Sequence, residues 1–130
     1  MDSLIYLSLF AGKRILIVED EYFLADKTRQ KLEHLGATVV GPAANVEDAL
    51  LLISSSDIDG AILDVYLGEE FVFPVAEELE TADVPFVFAT GYDALIIPAK
   101  FSGFALCEKP TELGKIASVL FGSSGGAALN

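Results

Sequence analysis

Several short apolar runs in this sequence end at residues that can bind a metal ion or a phosphoryl group. The residues that follow the first, third, fourth and fifth runs are Glu19, Asp20 and Glu21, then Asp64, Thr90 and Lys109. Carboxylates that lie close together repel one another unless a cation intervenes. An all-oxygen site with few protein ligands suits Mg²⁺ or Mn²⁺, and an ammonium and a hydroxyl group can contact phosphate oxygens. These residue types therefore favour phosphoryl chemistry beside a divalent cation.

The apolar runs themselves are predicted to be strands that are buried on both faces. Each run is continuous rather than alternating, rich in β-branched or aromatic residues, and bounded by glycine, proline or charge. The predicted strands are Ile15–Val18, Thr38–Val40, Ala61–Leu63, Pro85–Ala89 and Phe104–Cys107.

Stretches with helical spacing alternate with these strands. The predicted helices are Tyr22–Leu35, Val46–Ser54, Phe71–Glu80 and Thr111–Phe121, with a weaker turn at Asp93–Ile97. Gly36 is expected to end the first helix, and Asn45 and Thr111 are expected to cap the second and the last. The positions expected to face the sheet are Leu24, Thr28, Leu32 and Leu35; Val46, Ala49, Leu50 and Ile53; Val72, Val75, Ala76 and Leu79; and Leu113, Ile116, Ala117 and Leu120.

Strands that alternate with helices predict right-handed βαβ crossovers and a parallel sheet. We therefore expect a flavodoxin-like (βα)5 α/β fold, a doubly wound sheet of five strands in the order 2-1-3-4-5. Ligands of such sheets bind beyond the carboxyl ends of the strands, where the polar residues above would converge. One domain is expected over residues 13–121, with an N-terminal extension over residues 1–12 and a flexible tail over residues 122–130.

Composition excludes several classes of protein. The 130 residues include 20 acidic and 8 basic side chains, for a formal charge of −12, which disfavours binding to nucleic acid or to an anionic membrane. Cys107 is the single cysteine, so an internal disulfide and a cysteine-rich zinc site are excluded. The apolar segment "LIYLSLF" is too short to span a membrane and lacks the basic residues of a signal peptide. We expect a cytoplasmic protein.

Four motifs carry a resemblance to a known family. The segments "ILIVEDE", "AILDVYLG", "FATGY" and "CEKP" occur in this order, one at the end of each of four predicted strands. Together they resemble the receiver domain of two-component response regulators, from Lys13 to Phe121. Within that family the chain is similar to the FAT GUY subfamily of alphaproteobacteria, because Phe88, Ala89, Thr90 and Gly91 match the motif that gives this subfamily its name.

The resemblance implies a role for each site residue. Asp64 would accept a phosphoryl group from the phosphohistidine of a sensor histidine kinase or a phosphotransfer protein. Asp20 would bind Mg²⁺ or Mn²⁺ directly and Glu19 directly or through water, with the carbonyl of Tyr66 as a further ligand. Thr90 and Lys109 would contact the phosphoryl oxygens. Such a protein is not an enzyme beyond its own phosphorylation and dephosphorylation, and it signals through a protein partner.

One position departs from the usual receiver pattern. Most receivers carry an aromatic residue three positions before the lysine, where this chain has Leu106. Leucine has neither a hydroxyl group nor a ring, so the usual coupling between threonine and an aromatic side chain cannot operate unchanged. FAT GUY receivers depart at the same position, which favours the subfamily and leaves the switch unexplained.

Other interpretations of the same residues stay open. The acidic triplet Glu19 to Glu21 could cap a helix, Asp64 could simply end a strand, and His34 is expected to be an exposed residue in the last turn of a helix. A flavodoxin-like cofactor binder is disfavoured because an anionic loop replaces the glycine-rich phosphate loop. A metal-dependent phosphatase would need a second acid or base where Tyr66 lies. A pseudo-receiver that binds partners without phosphorylation is the main alternative.

Overall fold

The computed structural model describes residues 3–90, 98, 100, 106–108 and 113–122. A 3₁₀ helix, Ser3–Phe10, precedes a series of strands and helices. The strands are β1 (Arg14–Val18), β2 (Thr38–Ala43), β3 (Gly60–Asp64), β4 (Phe86–Thr90) and β5 (Leu106–Glu108). The helices are α1 (Tyr22–His34), α2 (Val46–Ser55), α3 (Phe73–Thr81) and α4 (Leu113–Ala117), and α4 continues as a π-helix, Ser118–Gly122.

The strands form one parallel sheet in the order β2-β1-β3-β4-β5. This order confirms the predicted flavodoxin-like topology. The strand order reverses between β1 and β3, which pair directly, with Val18 opposite Leu63. The carboxyl ends of β1 and β3 therefore lie side by side, which is where a ligand site is expected in a doubly wound sheet.

Two apolar layers cover the two faces of the sheet. On one face, α2 and α3 pack on the sheet through Ala49, Val75, Ala76 and Leu79. On the other face, α1 and the C-terminal helices contribute Leu32, Leu113, Ile116, Ala117 and Leu120. The inward positions predicted for α2, α3 and α4 are buried or packed against these layers.

The predicted inner face of α1 was wrong at one position. Leu24 is 36% exposed, whereas its neighbour Ala25 is 4% exposed and faces the core together with Leu32. A helix that packs closely on a sheet favours a small residue at the contact. Gly36 follows the end of α1 with a φ of 94°, and His34 is exposed in the last turn, as expected.

The start of α3 also differs from the prediction. The helix begins at Phe73 rather than Phe71, with Pro74 in its first turn and Val72 as the N-terminal cap. Phe71 instead forms an antiparallel bridge with Tyr66. The chain must therefore close a short loop before the helix can begin.

The strands are also bounded differently from the prediction. β2 extends to Ala43, β3 includes Asp64 as its last residue, and β4 includes Thr90. β5 is described from Leu106 to Glu108. Thr111, the turn at residues 93–97 and the tail at 123–130 lie outside the described residues.

The N-terminal 3₁₀ helix packs on the C-terminal helices. Phe10 is fully buried, and its ring meets the edge of the Phe121 ring at a centroid distance of 6.1 Å. A Cβ atom on Gly122 would lie 2.9 Å from the Tyr6 ring. This segment therefore contributes to the hydrophobic core. Within the described residues, every helix is too short or too polar to cross a membrane.

Candidate functional site

Three carboxylates meet at the carboxyl ends of β1 and β3. Oxygen atoms of Glu19, Asp20 and Asp64 all lie within 4.8 Å of one another. Asp64 is only 5% exposed because β3 is buried along its whole length, whereas Asp20 is exposed in the loop after β1. The parallel pairing of β1 with β3 brings together residues that are 44 or more positions apart.

The acidic triplet after β1 divides into two roles. The Glu21 carboxylate accepts a hydrogen bond from the Leu24 backbone N–H at 3.1 Å and caps α1. The Glu19 carboxylate accepts one from the Glu21 N–H at 3.0 Å, which orients Glu19 beside Asp20. The capping interpretation is therefore correct for Glu21, while Glu19 and Asp20 belong to the carboxylate cluster.

The β3–α3 loop, residues 65–72, closes on itself next to this cluster. The Val72 N–H donates to the Val65 carbonyl at 2.9 Å, and the Leu67 N–H donates to the Glu70 carbonyl at 2.8 Å. Gly68 has a φ of 86°, and a Cβ atom there would lie 3.2 Å from Asp20 Oδ2. The loop therefore lies close to Asp20 at Gly68, and both the positive φ and the short distance favour glycine there.

Tyr66 is two residues beyond Asp64 and begins a row of aromatic rings. Its ring centroid lies 5.2 Å from that of Phe71, which stacks on Phe73 at 5.6 Å. Phe73 meets the fully buried Phe88 of β4 edge to face at 6.0 Å. We call Tyr66, Phe71, Phe73 and Phe88 the aromatic row. Sequence reasoning missed it, although the alternation of Phe71 and Phe73 around Val72 was a signal.

The other two predicted site residues are described in part or not at all. Thr90 is the last residue of β4, and β4 pairs with β3 so that Asp64 lies opposite Ala89. Thr90 pairs with Glu108 of β5, and Lys109, the next residue, lies outside the described residues. Leu106, at the position of the missing aromatic residue, pairs with Phe88 of the aromatic row.

An open cavity of about 180 Å³ adjoins the cluster on the β2 side. Its lining consists of Glu19, Asp20, Tyr22, Ala25, Asp26, Pro42 and Ala44. The Arg29 guanidinium donates hydrogen bonds to Asp26, and this interaction lowers the pKa of the Asp26 carboxyl below its ordinary value. Asp26 is thus paired within α1, and Glu19 and Asp20 are the members of this lining that also belong to the cluster.

The three carboxylates suit a hard divalent cation. Carboxylate oxygens are the ligands that such ions prefer, and an ion would relieve the repulsion among three like charges. The close approach of their oxygen atoms allows a single ion to contact all three. The cluster can therefore bind a divalent metal ion.

A parallel sheet with this order and carboxylates at the ends of β1 and β3 is the arrangement expected of a receiver domain, and comparison with solved structures gives the same class. SdrG from Sphingomonas melonis Fr1 is 38% identical, with a TM-score of 0.72, over 92% of this chain and 96% of that chain. A BeF3-activated conformation of SdrG is 40% identical, with a TM-score of 0.69. The chain belongs to the receiver domains of response regulators, which confirms the family suggested by the motifs.

Two proteins called PhyR are further relatives. The response regulator PhyR from Brucella abortus is 25% identical, with a TM-score of 0.76, over 95% of this chain and 54% of that chain. The phyllosphere-induced regulator PhyR of Methylorubrum extorquens is 32% identical over 110 residues, which are 82% of this chain and 41% of that protein. The chain spans 36 to 41% of the length of the curated relatives it matches. No family model matches the sequence.

Proposed function

We propose that this receiver domain takes a phosphoryl group onto Asp64 from a sensor histidine kinase or a phosphotransfer protein. The observation that carries the proposal is the position of Asp64: its buried carboxylate lies within 4.8 Å of those of Glu19 and Asp20. In a buried position beside two other carboxylates, the ionised form of an acid requires a cation close by. Phosphoryl transfer also requires a nucleophile that lies next to a cation.

The ion that we propose is Mg²⁺, or Mn²⁺ in its place. Asp20, Asp64 and Glu19 would hold it, and the family resemblance adds the backbone carbonyl of Tyr66 as a further ligand. When bound, it would neutralise charge on the transferring phosphoryl group. Thr90 and Lys109 would contact the phosphoryl oxygens, a role taken from the family resemblance and consistent with Thr90 ending the strand next to β3.

The proposed reaction is an in-line displacement at phosphorus. A carboxylate oxygen of Asp64 forms a bond to phosphorus while the bond from phosphorus to the histidine nitrogen of the donor breaks. A carboxylate without a proton needs no general base, and a cation bound beside Asp64 would favour that form. Its residues position the acceptor and stabilise charge, and they act on no substrate other than the domain itself.

The BeF3-activated conformation of the similar SdrG supports this proposal, since it shows that SdrG has an activated state. We further propose that the domain acts in the cytoplasm through a protein partner and not through nucleic acid. The formal charge of −12 supports the second part, because a polyanion is repelled by nucleic acid.

Phosphorylation with a cognate kinase or acetyl phosphate tests the function. The wild type is expected to gain one phosphoryl group in the presence of Mg²⁺ and to gain none after chelation. Asp64→Asn is expected to gain none, whereas Asp57→Asn, a matched change at an exposed aspartate, should behave as the wild type. Phosphate on another residue would refute the proposal. A wild type that takes up no phosphate but binds its partner would be a pseudo-receiver.

A further inference from the structure

The β3–α3 loop is joined to a distant element by one acidic side chain. The Glu70 carboxylate accepts a hydrogen bond from the Val46 backbone N–H at 3.0 Å, across 24 positions of sequence. Val46 is the first residue of α2, where backbone N–H groups have no partner within the helix and a negative charge is favoured by the helix dipole. The contact therefore joins the side chain of a loop residue to the N-terminus of α2.

Helix α2 does not depend on Glu70 for its cap. Asn45 is the N-cap residue, and its side-chain oxygen accepts a hydrogen bond from the Asp48 N–H at 2.8 Å. Asn45 thus caps α2 from within the adjacent chain, whereas Glu70 binds the Val46 N–H from the separate β3–α3 loop. The main effect of the Glu70 contact should therefore fall on the loop rather than on the helix.

The geometry of the loop transmits the position of Glu70 to the site. The Glu70 carbonyl accepts from the Leu67 N–H at 2.8 Å, and the next residue, Phe71, bridges to Tyr66. Gly68 lies between these contacts and close to Asp20, because a Cβ atom added to Gly68 would lie 3.2 Å from Asp20 Oδ2. A shift of a few tenths of an ångström in the loop would therefore change the surroundings of the Asp20 carboxylate.

We propose that Glu70 is a positioning residue for the metal site. By binding the N-terminus of α2, it holds the β3–α3 loop against Asp20 and keeps the Tyr66 carbonyl in place as a ligand. The inference rests on the proposed function for the identity of the ion, and it concerns a residue that touches neither the ion nor the phosphoryl group.

The test is an NMR titration with Mg²⁺ of the wild type, Glu70→Ala, Glu70→Gln and Asn45→Ala. Glu70→Ala is expected to raise the dissociation constant of Mg²⁺ by about 10-fold, the lower end of the effect of removing a group that orients a metal ligand. It is also expected to shift the amide resonance of Asp20 in the metal-free protein. Glu70→Gln keeps an acceptor oxygen at the same chain length and should restore both properties.

The matched control is Asn45→Ala, which removes the cap of α2 and leaves the loop contacts in place. It should lower the stability of the protein but bind Mg²⁺ as the wild type does. Equal affinity in Glu70→Ala and wild type, or an equal loss in Asn45→Ala, would overturn the inference. If the wild type bound no Mg²⁺, the proposed ion would be wrong. The position of the Asp20 amide resonance in the metal-free protein would then be the remaining test. If Glu70→Ala left that resonance unshifted, Glu70 would not be a positioning residue.

Discussion

Gly68 meets two requirements that no other residue type meets together. Its φ of 86° lies in the left-handed region, and a Cβ atom would approach Asp20 Oδ2 to 3.2 Å. Gly68→Ala is expected to cost about 1–2 kcal/mol of stability from the backbone alone. It should also weaken Mg²⁺ binding, because the added methyl group pushes against the Asp20 carboxylate. Calorimetric titration with Mg²⁺ and denaturant unfolding measure the two effects.

Gly12→Ala is the matched control for this change. Gly12 has a φ of 79°, yet a Cβ atom there would have nothing within 4 Å. The control should lose a similar amount of stability and bind Mg²⁺ normally. A weakened affinity in both variants would mean that general destabilisation, rather than contact with Asp20, is the cause.

The Asp20 carboxylate is expected to lower the stability of the metal-free protein and to raise that of the metal-bound protein. Without an ion its carboxylate adds to the repulsion within the cluster, so Asp20→Asn is expected to raise the melting temperature of the metal-free protein. Magnesium at 100 times its dissociation constant is expected to add about 2.7 kcal/mol of stability to the wild type. Asp20→Asn should lose most of that gain in thermal unfolding with and without Mg²⁺.

Glu21→Gln removes the same charge one residue away. Glu21 caps α1 and is not a member of the cluster, and glutamine still offers an oxygen to the Leu24 N–H. The full stabilisation by Mg²⁺ should therefore persist in this variant. Its loss there would show that net charge in the loop, and not a ligand at Asp20, controls ion binding.

Among the elements, the alternation of apolar runs and helical periods predicted the strand order but not every boundary. The sequence predicts a helix from Phe71, whereas α3 begins at Phe73. In the structure Phe71 bridges to Tyr66, a contact formed only when the loop folds back. The helical spacing of α1 predicts Leu24 on the inner face, but Ala25 is the buried residue there, because close helix–sheet packing favours the smaller side chain.

Helix α3 is joined to the sheet by the aromatic row. The Phe73 ring stacks on Phe71 with an interplanar angle of 16° and meets Phe88 at 77°. Each aromatic pair contributes about 0.5–1.5 kcal/mol beyond the area buried, so Phe73→Leu is expected to cost about 1–3 kcal/mol. Urea unfolding measures the loss.

Phe23→Leu serves as the comparison, since Phe23 also makes an edge-to-face pair, with Tyr22, but is 76% exposed. Its cost should stay within about 0.5 kcal/mol. Equal costs at the two positions would contradict a structural role for the aromatic row.

For the molecule as a whole, the sequence predicted which residues form the site better than it predicted the contacts that hold the neighbouring loop in place. Glu19, Asp20 and Asp64 were accessible to prediction because parallel strands bring their carboxyl ends together whatever the loops do. The contact between Glu70 and Val46 was not, since it depends on the path of a loop and leaves no periodic signal. Lys109, predicted on the same grounds as Asp64, lies outside the described residues and stays a prediction.

The N-terminal segment completes the core layer formed by the C-terminal helices. Phe10 is fully buried against Phe121, so Phe10→Ala is expected to cost about 3–5 kcal/mol. Denaturant unfolding measures the loss. Leu51→Ala, at a side chain that is 65% exposed, should change stability by no more than about 0.5 kcal/mol. A small effect at Phe10 would show that the segment lies on the domain without stabilising it.

The position of Tyr66 has an optical consequence. The sequence contains four tyrosines and no tryptophan, so the intrinsic fluorescence of the protein is tyrosine emission. Tyr66 follows Asp64 by two residues and is held by Phe71, whose own emission is weak. Replacing Tyr6, Tyr22 and Tyr92 by phenylalanine would leave a single tyrosine, two residues from Asp64, the proposed phosphoryl acceptor. A decrease or increase in its fluorescence would report ion binding or phosphorylation at Asp64 in real time, without a label.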